Sequence, residues 1–238
     1  MFNKQFNSPT SLIVILITCV WLASTPAAHA GMVVLETSGG QQSGWQASWD
    51  SSLDPYVEIV VDAVTTDAVY IQKSAQFTQS PGPGGFPAIA IQFQQIAYPA
   101  VGQIIIADES ITNLTGYDWT DFHMELIDGT DALFNDLTLQ LGFYTSPLDN
   151  KMFSPDHKSF HIDGFGLGPG GSDAVVATGS GWYPGGGASD GDLYIDVVAK
   201  EQEPYTTFTL KETPTPEPTT LGLLALGVIA VLRWRRIS

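Results

Sequence analysis

The chain has one cysteine, Cys19, set in an apolar run near the N-terminus, so no cysteine pair exists beyond residue 30 to form a disulfide. Cations are also scarce: nine Lys and Arg stand against 25 Asp and Glu, giving a formal net charge of −16. All the acidic residues lie beyond residue 30, and between residues 31 and 232 there is no arginine. The cations of that stretch are Lys73, Lys151, Lys158, Lys200 and Lys211. A surface this poor in positive charge excludes nucleic acid as a partner and argues against docking on anionic lipid. It suits a soluble, self-repelling exterior protein, with collection of divalent cations as the alternative. Also missing are a Gly-rich phosphate loop with a lysine, a G-x-S-x-G elbow, a Cys/His cluster and a repeat of fixed period.

What is present begins at the two ends. Residues 1–30 have the layout of a secretory signal peptide: Lys4 in the n-region, an apolar stretch from Ser11 to Leu22, Pro26, and Ala28-His29-Ala30 as the small-x-small pattern before Gly31. Lipidation at Cys19 is the alternative, disfavoured by Thr18 before it and by the apolar run continuing past it. At the other end, a Thr/Pro-rich spacer reaches Pro216-Glu217-Pro218. An uncharged apolar run follows from Leu221 to Leu232, and Arg233, Arg235 and Arg236 supply a cytoplasmic stop. Proline removes a backbone donor, so the spacer is expected to be extended, exposed and outside any strand pairing. As a helix the apolar run covers roughly 18 Å, short of a hydrocarbon core of about 30 Å. Such a segment suits temporary retention in a membrane better than permanent residence; an ordinary tail anchor is the plainer alternative.

Pro-Glu-Pro, a short transmembrane helix and an Arg-rich end, in that order, resemble the PEP-CTERM sorting signal of bacterial surface proteins. The resemblance covers the last two dozen residues. It implies an exosortase as partner, transient contact with the inner membrane during sorting, and delivery to the cell surface or extracellular matrix. It also implies a bacterium that makes exopolysaccharide. The stretch from Ile111 to Leu126, ITNLTGYDWTDFHMEL, resembles one found in β-rich exported proteins with the same tail, without bringing an activity.

Between the ends the pattern is that of strands. Met32–Leu35, Tyr56–Val64, Val69–Phe77, Ala88–Ile96, Gln103–Ala107, Asp121–Ile127, Leu137–Tyr144, Phe160–Phe165, Ala174–Thr178, Leu193–Val198 and Tyr205–Leu210 are short, rich in β-branched or alternating residues, and bounded by Gly, Pro or Asp. Val69, Ile71, Lys73, Ala75 and Phe77 share one face. Leu137, Leu139, Leu141 and Phe143 form a period-2 apolar row that predicts a half-buried antiparallel strand. The expected fold is all-β: a single jelly-roll-like β-sandwich over residues 31–212, preceded by the signal peptide at 1–30 and followed by the sorting signal at 213–238.

Candidate chemistry is sparse, and no residue is assigned a catalytic role. Asn113 to Tyr117 is expected to turn, with Gly116 at positive φ and Trp119 and Phe122 closing one end of the core. Asp121 and His123 share a strand face; with no nucleophile arranged around them they predict a hydrogen bond at a strand edge rather than a base and its orienter. Asn113-Leu114-Thr115 fits a glycosylation sequon that carries little weight in a bacterial product. His157 and His161 lie about 13 Å apart if extended, too far for one ion. No cofactor is expected, structural calcium being the alternative: Asp128, Asp131, Asp190 and Asp192 sit in Asp/Gly turns that offer hard oxygen ligands. Trp182 and Tyr183, in a Gly-rich loop, are the candidate contacts for a sugar ring, against a default of packing. The reading is an exported, acidic, non-enzymatic surface or matrix protein associated with exopolysaccharide or biofilm. Its alternatives are a carbohydrate-binding module and a hydrolase of matrix sugars with two carboxylates about 5 to 9.5 Å apart.

Overall fold

The computed structural model of the protein describes residues 31–186 and 191–216. The expected signal peptide with Ala28 and Ala30, Asp190, Glu217, Pro218, the apolar run at 221–232 and Arg233, Arg235 and Arg236 lie outside the described residues. Among the described residues, no helix is long and apolar enough to cross a membrane.

The described chain is all-β and forms two sheets that share one hydrophobic core. The strands are β1 (Gly31–Glu36), β2 (Gln42–Trp49), β3 (Val57–Val64), β4 (Ala68–Phe77), β5 (Ile89–Gln95), β6 (Gln103–Asn113), β7 (Trp119–Ile127), β8 (Ala132–Phe134), β9 (Asn150–Phe153), β10 (Ser159–Asp163), β11 (Gly181–Trp182), β12 (Leu193–Val197) and β13 (Thr207–Pro216). One sheet has seven strands in the order β1-β2-β5-β13-β7-β10-β9. The other has the order β3-β4-β6-β12-β8, with β11 added against β6. Side chains alternate between core and solvent along these strands, as pleating requires: in β5, Ile89, Ile91 and Phe93 are buried while Ala90, Gln92 and Gln94 are exposed. The two inner faces meet through aromatic contacts, with Phe77 of β4 5.8 Å from Phe122 of β7 and Phe122 5.0 Å from Trp182 of β11.

Two registers set the positions of the charged side chains. β4 and β6 run parallel, and a bulge at Ile71/Gln72 brings Lys73 opposite Glu109. This parallel pair departs from an all-antiparallel roll. In the other sheet β7 lies between β13 and β10, pairing His123 with Thr213 on one side and with His161 on the other.

The expected strand at Leu137–Tyr144 is instead a short helix, α1 (Leu137–Gln140), and a turn. Asn135 Oδ1 accepts a hydrogen bond from the Leu137 amide at 2.8 Å, bending the chain out of β8. Three of the four apolar residues then face outward: Leu137, Leu139 and Leu141 are exposed, while Phe143 joins the core and Thr138 is fully buried and accepts a hydrogen bond from the Tyr194 amide at 3.0 Å. Ala174–Thr178 is likewise not a strand; Val176 makes a single bridge to Trp119.

The C-terminal spacer gives a third correction. β13 continues to Pro216 and pairs with β7 as far as Trp119, so the boundary expected at residue 212 falls inside a strand. Pairing with β5 ends at Glu212. Pro214 and Pro216 thus stand where β13 has one neighbour rather than two, the position in a sheet that tolerates a missing donor. Pro214 is buried rather than exposed.

Candidate functional site

The outer face of the seven-stranded sheet carries a cluster built by register. Residues of β7 at 121, 123 and 125 point outward because Phe122, Met124 and Leu126 fill the core. Cross-strand neighbours on one face lie close together. Asp121 is therefore flanked by Thr215 of β13 and Asp163 of β10, and His123 by Thr213 and His161. His123 Nε2 lies 2.8 Å from Asp121 Oδ2, and His161 Nε2 lies 3.0 Å from Asp163 Oδ2 and 3.3 Å from Asp121 Oδ1. The two imidazoles meet edge to face, with centroids 4.5 Å apart. The hydrogen bond that His123 donates to the Asp121 carboxylate raises the pKa of His123 above the ordinary imidazole value. A hollow of about 520 Å³ adjoins the cluster, bordered by Asp121, His161, Asp163, Thr215 and the exposed ring of Phe165.

Asp121, His123 and His161 each offer a ligand atom, and these atoms lie within 4.8 Å of one another. Two imidazoles and a carboxylate suit a zinc-like divalent cation better than calcium. The Asp121–His123 hydrogen bond expected from sequence is present, but in the middle of the sheet rather than at an edge. His161 joins His123 from the neighbouring strand, a convergence that the His157–His161 spacing does not reveal. His157 instead bonds the Phe134 carbonyl at 3.0 Å.

A second cluster lies inside the sandwich. Lys73 Nζ donates to Glu212 Oε2 at 2.7 Å and contacts Glu109 Oε1, and all three side chains are buried. Burial acts to lower the lysine pKa, but the two carboxylates outweigh it and hold the ammonium above its ordinary value. Burial, followed by the Glu212 charge, pushes the Glu109 carboxyl up to about 8. Composition does not single out these residues. The one sequence signal is Lys73 in an otherwise apolar row.

The candidate sugar contacts separate. Trp182 is 1% exposed, packs on Phe122 and donates its indole N–H to the Thr145 carbonyl at 2.8 Å, so its ring presents no face to a ligand. Tyr183 is 57% exposed and borders a cleft of about 360 Å³ with Glu58, Asp108 and Glu109. Trp45 and Trp119 are core residues. Of the candidate calcium ligands, Asp131 pairs with Lys200 at 2.8 Å, which lowers its pKa, and Lys158 bonds the Gly129 carbonyl of the same turn at 3.0 Å. Asp128 takes a φ of 62° there. Burial, then the Asp108 charge, raises the Asp192 carboxyl.

The Asn113–Trp119 stretch is structural. Asn113 Nδ2 donates to the carbonyls of Tyr117 and Val176 at 2.8 and 3.0 Å, and its Oδ1 accepts from the Thr115 amide and hydroxyl. The Trp119 indole donates to the Thr115 hydroxyl at 3.2 Å. Gly116 takes the expected positive φ, 83°. With Asn113 fully buried, its amide serves the fold and is closed to a glycan.

No curated protein and no solved structure gives a significant match to the chain. Residues 214–236 match the family model of the PEP-CTERM protein-sorting motif, which begins at Pro214 inside β13, one strand away from the His/Asp cluster. The chain thus carries a PEP-CTERM sorting motif directly on the end of β13, the middle strand of its seven-stranded sheet, the mark of an exported protein handled by an exosortase and destined for the cell surface or beyond.

Proposed function

We propose that this is a non-enzymatic surface or extracellular-matrix protein, an acidic β-sandwich displayed outside an exopolysaccharide-producing bacterium and associated with its matrix or biofilm. The observation that carries the reading is the sorting motif at 214–236, continuous with β13. The acidic composition supports it, since a self-repelling surface stays dispersed in the exterior medium. The apolar run at 221–232 engages the inner membrane during sorting, and the exosortase is the one partner the motif implies. Mass spectrometry of the protein from cells with and without the exosortase tests this. The expected result is loss of residues 221–238 only when the enzyme is present; their retention in both would overturn the reading.

Tyr183 favours one further reading, a carbohydrate-binding module. Its exposed ring beside the cleft with Glu58 and Asp108 is the geometry that stacks on a pyranose face while carboxylates accept sugar hydroxyls. Affinity electrophoresis in polysaccharide gels decides it: retardation abolished by Tyr183→Ala supports binding, and free migration in every gel sinks it.

A further inference from the structure

Lys73, Glu109 and Glu212 are joined by register and burial rather than by sequence proximity. Lys73 and Glu109 are direct neighbours in the parallel pairing of β4 with β6, so their side chains leave the same face of one sheet. Glu212 reaches the same nitrogen from β13 of the opposite sheet. Exposure is 2% for Lys73 and Glu109 and zero for Glu212. The nitrogen is hydrogen-bonded to Glu212 and in contact with Glu109. Apart from that contact, neither Glu109 oxygen has a hydrogen-bond partner. A buried ion pair is normally held by hydrogen bonds that satisfy its remaining lone pairs. Here a carboxyl lacking such bonds is set against an amine, and a second carboxylate is placed to take the amine's proton.

We propose that Lys73 and Glu109 condense into an intramolecular isopeptide cross-link, with Glu212 moving the protons. Glu212 carboxylate accepts one proton from the Lys73 ammonium along their hydrogen bond. The freed amine attacks the Cδ of the protonated Glu109 carboxyl and forms the C–N bond. A second proton from the nitrogen passes through Glu212 to the departing Glu109 hydroxyl, the C–O bond breaks, and water leaves. The products are a secondary amide, one water and a protonated Glu212; no oxidant or reductant takes part. The raised Glu109 pKa keeps the electrophile protonated near neutrality. The cleft that Lys73 and Glu109 border gives the water an exit.

The dry interior supplies the driving force. In water an ammonium and a carboxylate are better solvated than the amide they would form, whereas in the core both charges are costly and the neutral product is favoured. The bond would tie β4 to β6 across the intervening crossover through β5 of the other sheet and so restrict the unfolded chain as a disulfide does. Beyond residue 30 this exported chain has no cysteine with which to make a disulfide.

The test is the intact mass of the exported protein under denaturing conditions, followed by tryptic mapping. The expected mass is one water below that calculated for the observed termini. Trypsin should not cleave after Lys73, and the peptide ending at Lys151 should contain both Lys73 and Glu109, closed internally and lighter by one water, because no other Lys or Arg lies between them. Full mass together with cleavage after Lys73 overturns the cross-link. Glu212→Gln keeps the side-chain shape but cannot accept the proton, and it should run at full mass while retaining the wild-type circular dichroism spectrum. A folded Glu212→Gln protein that still loses water would overturn the role of Glu212. If that variant does not fold, the wild-type mass still decides whether the bond exists.

Discussion

Lys73 and Glu212 meet across the sandwich at 2.7 Å, from opposite sheets and 139 residues apart in the chain. Replacing the lysine by an apolar residue leaves two buried carboxyls with no cation. Lys73→Met is therefore expected to cost about 3–5 kcal/mol, read from urea denaturation. The cost should depend on pH. The folded Glu109 carboxyl lies at about 8 with the lysine present, above its ordinary value of 4.5, and the lysine is what holds it down. A folded pKa above the unfolded one means stability is complete below the unfolded value and is lost as pH rises through the folded one. The Lys73→Met midpoint should therefore fall as pH rises from about 4.5 to about 8. A flat profile over that range would contradict the burial of Glu109.

Adjacent aromatics at the end of β11 should behave oppositely. Trp182→Ala empties a core position between Phe122 and the Thr145 carbonyl and is expected to cost about 3–5 kcal/mol. Tyr183→Ala should change stability by no more than about 0.5 kcal/mol. Thermal unfolding of the two variants checks the assignment of one ring to the core and the other to the surface.

Asn113, itself fully buried, satisfies two carbonyls and receives two hydrogen bonds from the buried Thr115. Asn113→Ala orphans several of these groups, at about 1–3 kcal/mol for each that water cannot reach. The expected drop in melting temperature should exceed that for Tyr117→Ala, whose ring is exposed.

The cluster on the outer sheet face predicts cation binding. Zinc added to the exported protein should bind with one equivalent and raise the melting temperature, by about 2.7 kcal/mol of stabilisation at a hundredfold excess over Kd. His161→Ala should abolish the shift because it removes one of the two imidazoles. A shift that survives in His161→Ala would place the metal elsewhere.

The overlap of strand and signal makes truncation informative. A chain ended after Pro216 keeps all of β13 and should unfold at the full-length temperature. One ended after Glu212 loses the pairing of Thr213–Pro216 with β7 and the buried Pro214, and should melt lower. Neither should be processed by the exosortase, since both lack most of the 214–236 motif.

Much of this architecture is readable from local pattern, and the failures are specific. β1, β3, β4, β5, β7, β10 and β12 appear close to where β-branched alternation places them, because one buried face imposes a period of two on the residues themselves. Leu137–Leu141 shows the same period yet faces solvent, since alternation gives the spacing of an apolar row but not the direction in which it points. β9 and β13 beyond Leu210 are not visible in the sequence, because Asn150-Lys151 have low strand propensity, Pro214 and Pro216 lack a backbone donor, and both stretches are held by neighbours distant in sequence.

Export and sorting are decided by sequence alone. Pro216-Glu217-Pro218, an apolar run of fixed length and terminal arginines act through order and composition, which need no fold to be recognised. The acidity and the lack of disulfides are equally plain. The clusters are decided by tertiary structure. Lys73 is readable as a lysine in an apolar row, but the carboxylates that compensate it come from a parallel neighbour set by a bulge and from the facing sheet. His161 reaches His123 through a strand register. Register and sheet packing bring together residues far apart in the chain, and no local spacing encodes that.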